Sequence, residues 1–229
     1  MKKIQLLLFA FIAFAGIRVN AQTVDEIINK YVTAMGGKEK LASLKTVKMT
    51  GSMNDGAVTL TLTRSQMIGT RTDIEFNGNS YYQFANNKKG QVLMPPMTDA
   101  EEMDAETYKS FENQVDIQGG LFNYKEKGNT VELVGTEKVG AADAYHLKLT
   151  FKNGRISNYY IDKATNRLVK TSGKTFMNGQ EMDTESTFTD YKQNADGYWF
   201  PYTITSTRGP IVFSKIETNI PVDEKIYAN

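Results

Sequence analysis

This sequence predicts a mostly β (α+β) fold: one long, curved, antiparallel sheet of 11-12 strands with two helices on its apolar face. Three observations predict it. From Thr46 onward apolar and polar residues alternate with period two along most of the chain, as they do in strands that bury one face. Turn residues such as "NDG" and "NGN" cut that alternation into short runs, so neighbouring strands are joined by hairpins. Helical spacing appears in only two places, one ahead of the sheet and one in its middle. No linker-like shift of composition and no repeat interrupts the chain, so residues 22–229 are expected to form a single domain.

The first 21 residues read as a signal peptide, with a basic "MKK", a short apolar run and small Val19 and Ala21 before a cut after Ala21. The apolar run is too short for a spanning helix, so the expectation is an exported, periplasmic protein that is not an integral membrane protein. "TVDE" then offers a capping box of Thr23 with Glu26. Val24, Ile27, Ile28, Tyr31, Val32 and Met35 follow at helical spacing, and Gly36-Gly37 supplies a left-handed stop. "KEKLASLK" predicts a short second helical turn with Leu41 and Leu44 inward.

Strands are predicted at 46–53, 57–64, 67–76, 79–86 and 90–94. Pro95-Pro96 stops this run, and Thr98 with Glu101 suggests a second capping box opening a helix over about 98–116. Ala100, Met103, Thr107, Phe111 and Val115 would form its inner face, with Gly119-Gly120 closing the segment. A second run is predicted at about 130–137, 143–151, 155–162, 167–175, 181–191, 198–207 and 211–218. Two amphipathic helices can cover only part of a sheet this long, which leaves room for a cavity.

Composition excludes several classes of function. The chain has no cysteine, hence no lipobox, disulfide or thiol nucleophile. Setting aside Lys2, Lys3 and Arg18 reduces 27 basic residues to 24 against 26 acidic ones, a formal charge of −2 without a basic patch. Nucleic acid is therefore not an expected partner. His146 is the only histidine, and the alternation of "AYHLKLTF" places it on the polar, solvent side of its strand. A zinc site and a Ser-His-Asp triad are both unsupported. The acidic cluster Asp99, Glu101, Glu102, Asp104 and Glu106 falls in the first turns of the expected central helix, where it complements the macrodipole. "DTE" at 183–185 lacks a calcium-loop pattern, and "GKT" at 173–175 lacks the upstream glycine of a phosphate loop. No catalytic residue, metal site or cofactor is expected.

What remains is apolar. Met and aromatic residues on strand faces can build either a core or an adaptable greasy pocket. "VTLTLTRSQ" at 58–66 carries the sharpest oddity: Val58, Leu60 and Leu62 share one face, and the next residue on that face is Arg64.

"TVDEIINKYVTAMGGKEKLASLKTVKMTG" resembles the start of outer-membrane lipoprotein-sorting proteins, the periplasmic lipoprotein carriers of the LolA/LolB type. The span from Leu121 to Lys170 is similar to the central part of carrier-like relatives through Tyr124, Gly128, Val134-Gly135, Tyr145, Leu147 and the hairpin Tyr159 to Asp162, Thr165, Leu168 and Val169. "DYKQNADGYWFP" (Asp190 to Pro201) resembles their late hairpin. The resemblance implies an incomplete antiparallel β-barrel whose hydrophobic concave face is covered by a helical lid. It also implies a non-enzymatic activity, shielding of lipid or acylated lipoprotein cargo between inner- and outer-membrane donor and acceptor proteins. A cargo-free interaction module of the same fold at the outer membrane is the alternative.

On this resemblance Arg64 matches an arginine that faces the cavity at a strand exit and hydrogen-bonds to lid residues, although Ser65 stands where carriers often have proline. The expected lid is the segment 98–116 or the loop "VLMPPM" before it. The expected cavity wall is Val58, Leu60, Leu62, Ile74, Phe76, Tyr82, Phe84, Tyr145, Leu147, Leu149, Phe200 and Tyr202.

Overall fold

A computed structural model describes residues 22–177 and 180–228; the expected signal peptide lies outside them. Among the described residues, thirteen strands form one sheet. In chain order they are β1 (Thr46–Met53), β2 (Val58–Ser65), β3 (Gly69–Phe76), β4 (Asn79–Asn86), β5 (Gly90–Leu93), β6 (Glu101–Glu102), β7 (Thr130–Val139), β8 (Ala142–Thr150), β9 (Ile156–Asp162), β10 (Leu168–Met177), β11 (Gln180–Gln193), β12 (Trp199–Ser206) and β13 (Gly209–Thr218). The order across the sheet is β6-β5-β4-β3-β2-β1-β13-β12-β11-β10-β9-β8-β7. Every pair is antiparallel. The edges β6 and β7 do not meet, so the barrel is not closed.

This order explains the position of the central helix. Two meanders meet at the β1–β13 pair, and the chain between them must pass from one sheet edge (β6) to the other (β7). Helix α3 (Ala105–Glu112) lies on that crossing and packs against both β4 and β10. Seven strand spacings separate those two strands, roughly 34 Å across a flat sheet, whereas eight helical residues span about 12 Å. One short helix touches both strands only because the sheet curls around it.

The central segment also brings a correction. The expected helix over 98–116 begins late, because Glu101–Glu102 adds a short thirteenth strand beside β5. Asp104, not Thr98, is the N-cap: its Oδ1 accepts from the amides of Glu106 (3.0 Å) and Thr107 (2.9 Å). Asp99, Glu101 and Glu102 therefore precede the helix. After Glu112 the chain tightens into a 3-10 turn, Asn113–Val115.

The amino-terminal elements follow the sequence closely. Helix α1 (Val24–Ala34) has the Thr23–Glu26 capping box, and Gly36 and Gly37 take φ of 112° and 92° behind it. Helix α2 (Lys38–Ala42) turns Leu41 and then Leu44 inward. Two buried clusters result. Under α1, Ile27 and Ile28 meet Leu121, Leu147, Leu149 and Ile161. Beside α2, Leu44 joins Val47, Met49, Leu60, Leu62, Tyr198, Phe213 and Ile216.

Outside the sheet, a 3-10 turn at Glu224–Tyr227 is pinned to β2–β4. Arg71 Nη1 donates to the Ile226 carbonyl (3.1 Å), and Asn86 Nδ2 donates to that of Tyr227 (2.7 Å). Tyr227 sits so tightly on Gly69 that a Cβ there would lie 2.4 Å from its ring. His146 also departs from expectation. It lies on the outer face, but its side chain is only 12% exposed. Flanking strands bring Glu137 Oε1 within 2.7 Å of its Nδ1 and Asn158 Oδ1 within 2.8 Å of its Nε2, and Tyr160 stacks on the ring.

Candidate functional site: the hollow beneath the crossing helix

Cross-strand register decides which side chains face inward. Leu60 pairs with Ile74 and Ile74 with Tyr81; Leu62 pairs with Thr72 and Thr72 with Gln83. Paired residues share a face, so Val58, Leu60, Leu62, Arg64, Ile74 and Phe76 look into the curl together with Tyr81, Gln83 and Ala85. Tyr82 and Phe84, expected in the cavity wall, are on the opposite face. Arg71 stacks on Tyr82 at 4.3 Å, and Phe84, 1% exposed, is buried on the outer side that Tyr227 covers.

The other expected wall residues also separate. Leu147 and Leu149 are 0% exposed beneath α1 and form closed core rather than a cavity wall. Tyr145 is half-buried at the edge of that cluster, its hydroxyl donating to Gln22 Oε1. Leu60 and Leu62 are buried in the α2-side cluster, with Ile74, Phe200 and Tyr202 partly buried against it. Val58 is half-buried, and Phe76 is exposed near the hairpin end.

The open space lies farther along the curl. A partly open cavity of about 610 Å³ lies between β4, β5 and α3, with Gln83, Val92, Met94, Met97, Met103, Thr107, Phe111 and Phe176 among its walls. Pro95 and Pro96 line its edge, and Glu101, Glu102, Asp104 and Arg208 give it a charged side. Both segments expected to act as lid, "VLMPPM" and α3, thus border the same hollow.

Polar bonds hold α3 in place. The Tyr108 hydroxyl donates to the Asn86 carbonyl (2.8 Å) on the β4 side. On the other side, Arg155 Nη1 donates to the carbonyls of Ser110 (2.7 Å) and Lys109 (3.5 Å), while Nη2 reaches the Lys174 carbonyl. The Phe176 amide donates to Ser110 Oγ (3.2 Å). Arg155 therefore makes the lid-carbonyl bonds that the resemblance implied for Arg64. It sits in the hairpin "NGRIS", at the start of the strand predicted over 155–162, where nothing in the sequence marks it as a contact of the crossing helix.

Arg64 faces the same crossing segment with less to hold. Nη2 donates to Gln114 Oε1 at 3.5 Å, and Nε is buried without a partner among the described residues. Burial lowers its pKa from the ordinary arginine value. The nearby carboxylate of Asp116 is engaged elsewhere, accepting from Lys127 Nζ (2.6 Å) and Gln66 Nε2 (3.0 Å).

Three tyrosines complete the interior. Burial, aided by the Asp116 charge, pushes the Tyr31 phenol up to about 12. Burial likewise raises Tyr159 and Tyr191 above the ordinary tyrosine value. All three are partly buried, and Tyr31 and Tyr159 pack against the cluster under α1. Among the described residues, no group of three or more His, Asp or Glu could hold a metal ion.

No family model matches the chain, and neither does any curated protein. Solved structures do match. A LolA superfamily protein from Nitrosomonas europaea aligns over 90% of this chain and 98% of its own, with 13% identity and a TM-score of 0.54. The fold is that of the LolA superfamily. A DUF1329 family protein from Desulfovibrio piger aligns over 89% of this chain and 96% of its own, again with 13% identity and a TM-score of 0.54. In this LolA-type fold the crossing segment, the curl and the hollow are parts of one arrangement, because the β6-to-β7 passage has to cross the open face.

Proposed function

We propose that this chain is a non-enzymatic periplasmic carrier, sheltering lipids or lipoprotein acyl chains in the hollow beneath α3 for transfer toward the outer membrane. The observation that carries this reading is the 610 Å³ cavity with Val92, Met94, Met97, Met103 and Phe111 in its walls, under a helix held by polar bonds. Its volume falls in the range of small-molecule sites. Methionine and phenylalanine give it walls that adapt to an irregular apolar ligand. Withdrawing one acyl chain of about 15 methylenes from water is worth on the order of 12 kcal/mol at ~0.8 kcal/mol each, before ordering costs. A modest hollow is therefore enough. Among the described residues no helix is long and apolar enough to cross a membrane, which suits a protein that moves cargo between membranes.

Protein purified from cells should carry extractable lipid visible by mass spectrometry, and it should bind an apolar fluorescent probe that acyl chains displace. Val92→Trp, which fills the hollow, should abolish probe binding while leaving the circular dichroism spectrum unchanged. Folded protein that yields no lipid and binds no probe would sink the carrier reading.

One observation favours the cargo-free interaction module as a second reading. Strand β7 is an unpaired edge, with Leu133 36% and Val134 56% exposed. A bulge between Leu133 and Gly135 breaks its regularity, and bulges discourage edge-to-edge pairing.

A further inference from the structure

We propose that the cargo is an anionic amphiphile, whose carboxylate or phosphate head is bound by Arg64 while its tail runs beneath α3. This rests on the carrier reading and names the chemical class of its ligand.

The inner face of the curl is apolar around Arg64. Its cross-strand partners are Val47 and Thr70, and Leu62 precedes it on the same face. A guanidinium offers five donors, yet the described residues give this one a single bond, at 3.5 Å, to a neutral amide. Its Nε is buried and unmet. Asn113, next to Gln114 on the crossing segment, shows the same deficit independently: its Nδ2 is also buried without a partner. A second unmet donor thus lies one residue from the amide that touches Arg64. No ion pair to a carboxylate is made by Arg64 among the described residues; Asp116, two residues beyond Gln114, is tied to Lys127 and Gln66. Buried polar groups are normally satisfied, and an unpaired buried charge is costly. An oxyanion would supply both charge and acceptors, and a guanidinium suits the flat, two-oxygen edge of carboxylate or phosphate.

The tail's path follows from nearness along the chain. Thr107 and Phe111 of α3 line the 610 Å³ cavity, and the 3-10 turn that carries Gln114 follows directly after α3. One turn of chain, about 5 Å, separates Phe111 from the residue that touches Arg64. A head at Arg64 therefore places the first methylenes at the cavity's end. A neutral ester or alcohol gains the tail contacts and leaves the arginine unmet.

The test compares dodecanoate, methyl dodecanoate and inorganic phosphate as displacers of an apolar probe, on wild type and Arg64→Gln. In the wild type the acid should bind about tenfold or more tighter than its ester, the expected size of charge-assisted hydrogen bonds. Arg64→Gln should bring the acid down to the ester's affinity and leave the ester unchanged. Arg64→Lys, which keeps the charge and guards against a folding defect, should retain part of the preference. Phosphate alone should not displace the probe. Equal binding of acid and ester in the wild type overturns the anionic head while leaving the carrier reading intact. A parallel loss of both in Arg64→Gln, with their ratio preserved, overturns it too and makes Arg64 a lid contact. Displacement by phosphate at the acid's affinity overturns the amphiphile in favour of a small oxyanion. Binding of neither lipid defeats the carrier reading itself.

Discussion

The two helices that cover this sheet do so by different physics. Helix α1 is sealed down: Ile27 is 1% exposed, and Leu147, Leu149 and Ile161 beneath it are each 0% exposed. Helix α3 is latched. Only Ser110 of its eight residues is buried, and it is held through Tyr108, the Ser110 backbone and hydroxyl, and Arg155. Burial of apolar area is non-directional and must be lost gradually, whereas a few hydrogen bonds switch between made and unmade. On the carrier reading proposed above, the greasy cover is the permanent one and the polar cover, with an empty space beneath it, is the one that moves. The hollow lies under the latched helix.

The sharpest way to break this contrast is to cut the floor under each helix. Leu147→Ala should destabilise the protein by about 2–5 kcal/mol, as large-to-small changes in closed cores do. Val92→Ala, in the wall of the hollow under α3, removes a side chain that is only partly buried and should cost roughly half that or less. Urea denaturation measures both, and equal costs would erase the distinction between the halves.

Cutting the latch comes next. Arg155→Ala removes the bonds to the Ser110 and Lys109 carbonyls. Amide exchange across 105–112 should accelerate by about tenfold or more, the equivalent of one hydrogen bond to a charged donor. The amides of α1 should keep their protection. Uniform acceleration in both helices would mean that Arg155 stabilises the whole fold rather than one lid.

What was legible beforehand follows the same division. Strand β4 runs from Asn79 to Asn86, as the alternation and its bounding turns predict, because turn chemistry is local. Its inward side was not legible: Tyr81, Tyr82, Phe84 and Ala85 make both faces apolar, and only register with β3 and the covering Tyr227 turn separate them. The start of α3 was ambiguous for a related reason. Thr98 and Asp104 are both competent caps, and the choice went to the one left after Glu101–Glu102 joined β5. Arg155 was invisible as a latch because its partners on α3 are 45 and 46 residues away in the chain. The α1 stripe could be read in full, since a helix that seals a core writes its whole contact surface at helical spacing.

The smallest expected effect tests the buried phenol at the edge of the sealed region. Tyr31 is on α1, partly buried against the closed cluster, yet its phenol feels Asp116 of the crossing segment. In the unfolded chain a tyrosine loses its proton near pH 10; in the fold Tyr31 holds it up to about 12. Between those values the unfolded state has released a proton that the native state retains, so stability falls as pH rises. The contribution is complete below pH 10 and is lost progressively toward pH 12. Tyr159 and Tyr191 act in the same direction, because burial raises both. Tyr31→Phe should leave stability at pH 8 within about 1 kcal/mol of wild type, since the hydroxyl has no protein partner among the described residues to lose. Its thermal midpoint should then decline less steeply than wild type between pH 10 and pH 11.5. Identical slopes would place the Tyr31 hydroxyl in open water rather than in the interior.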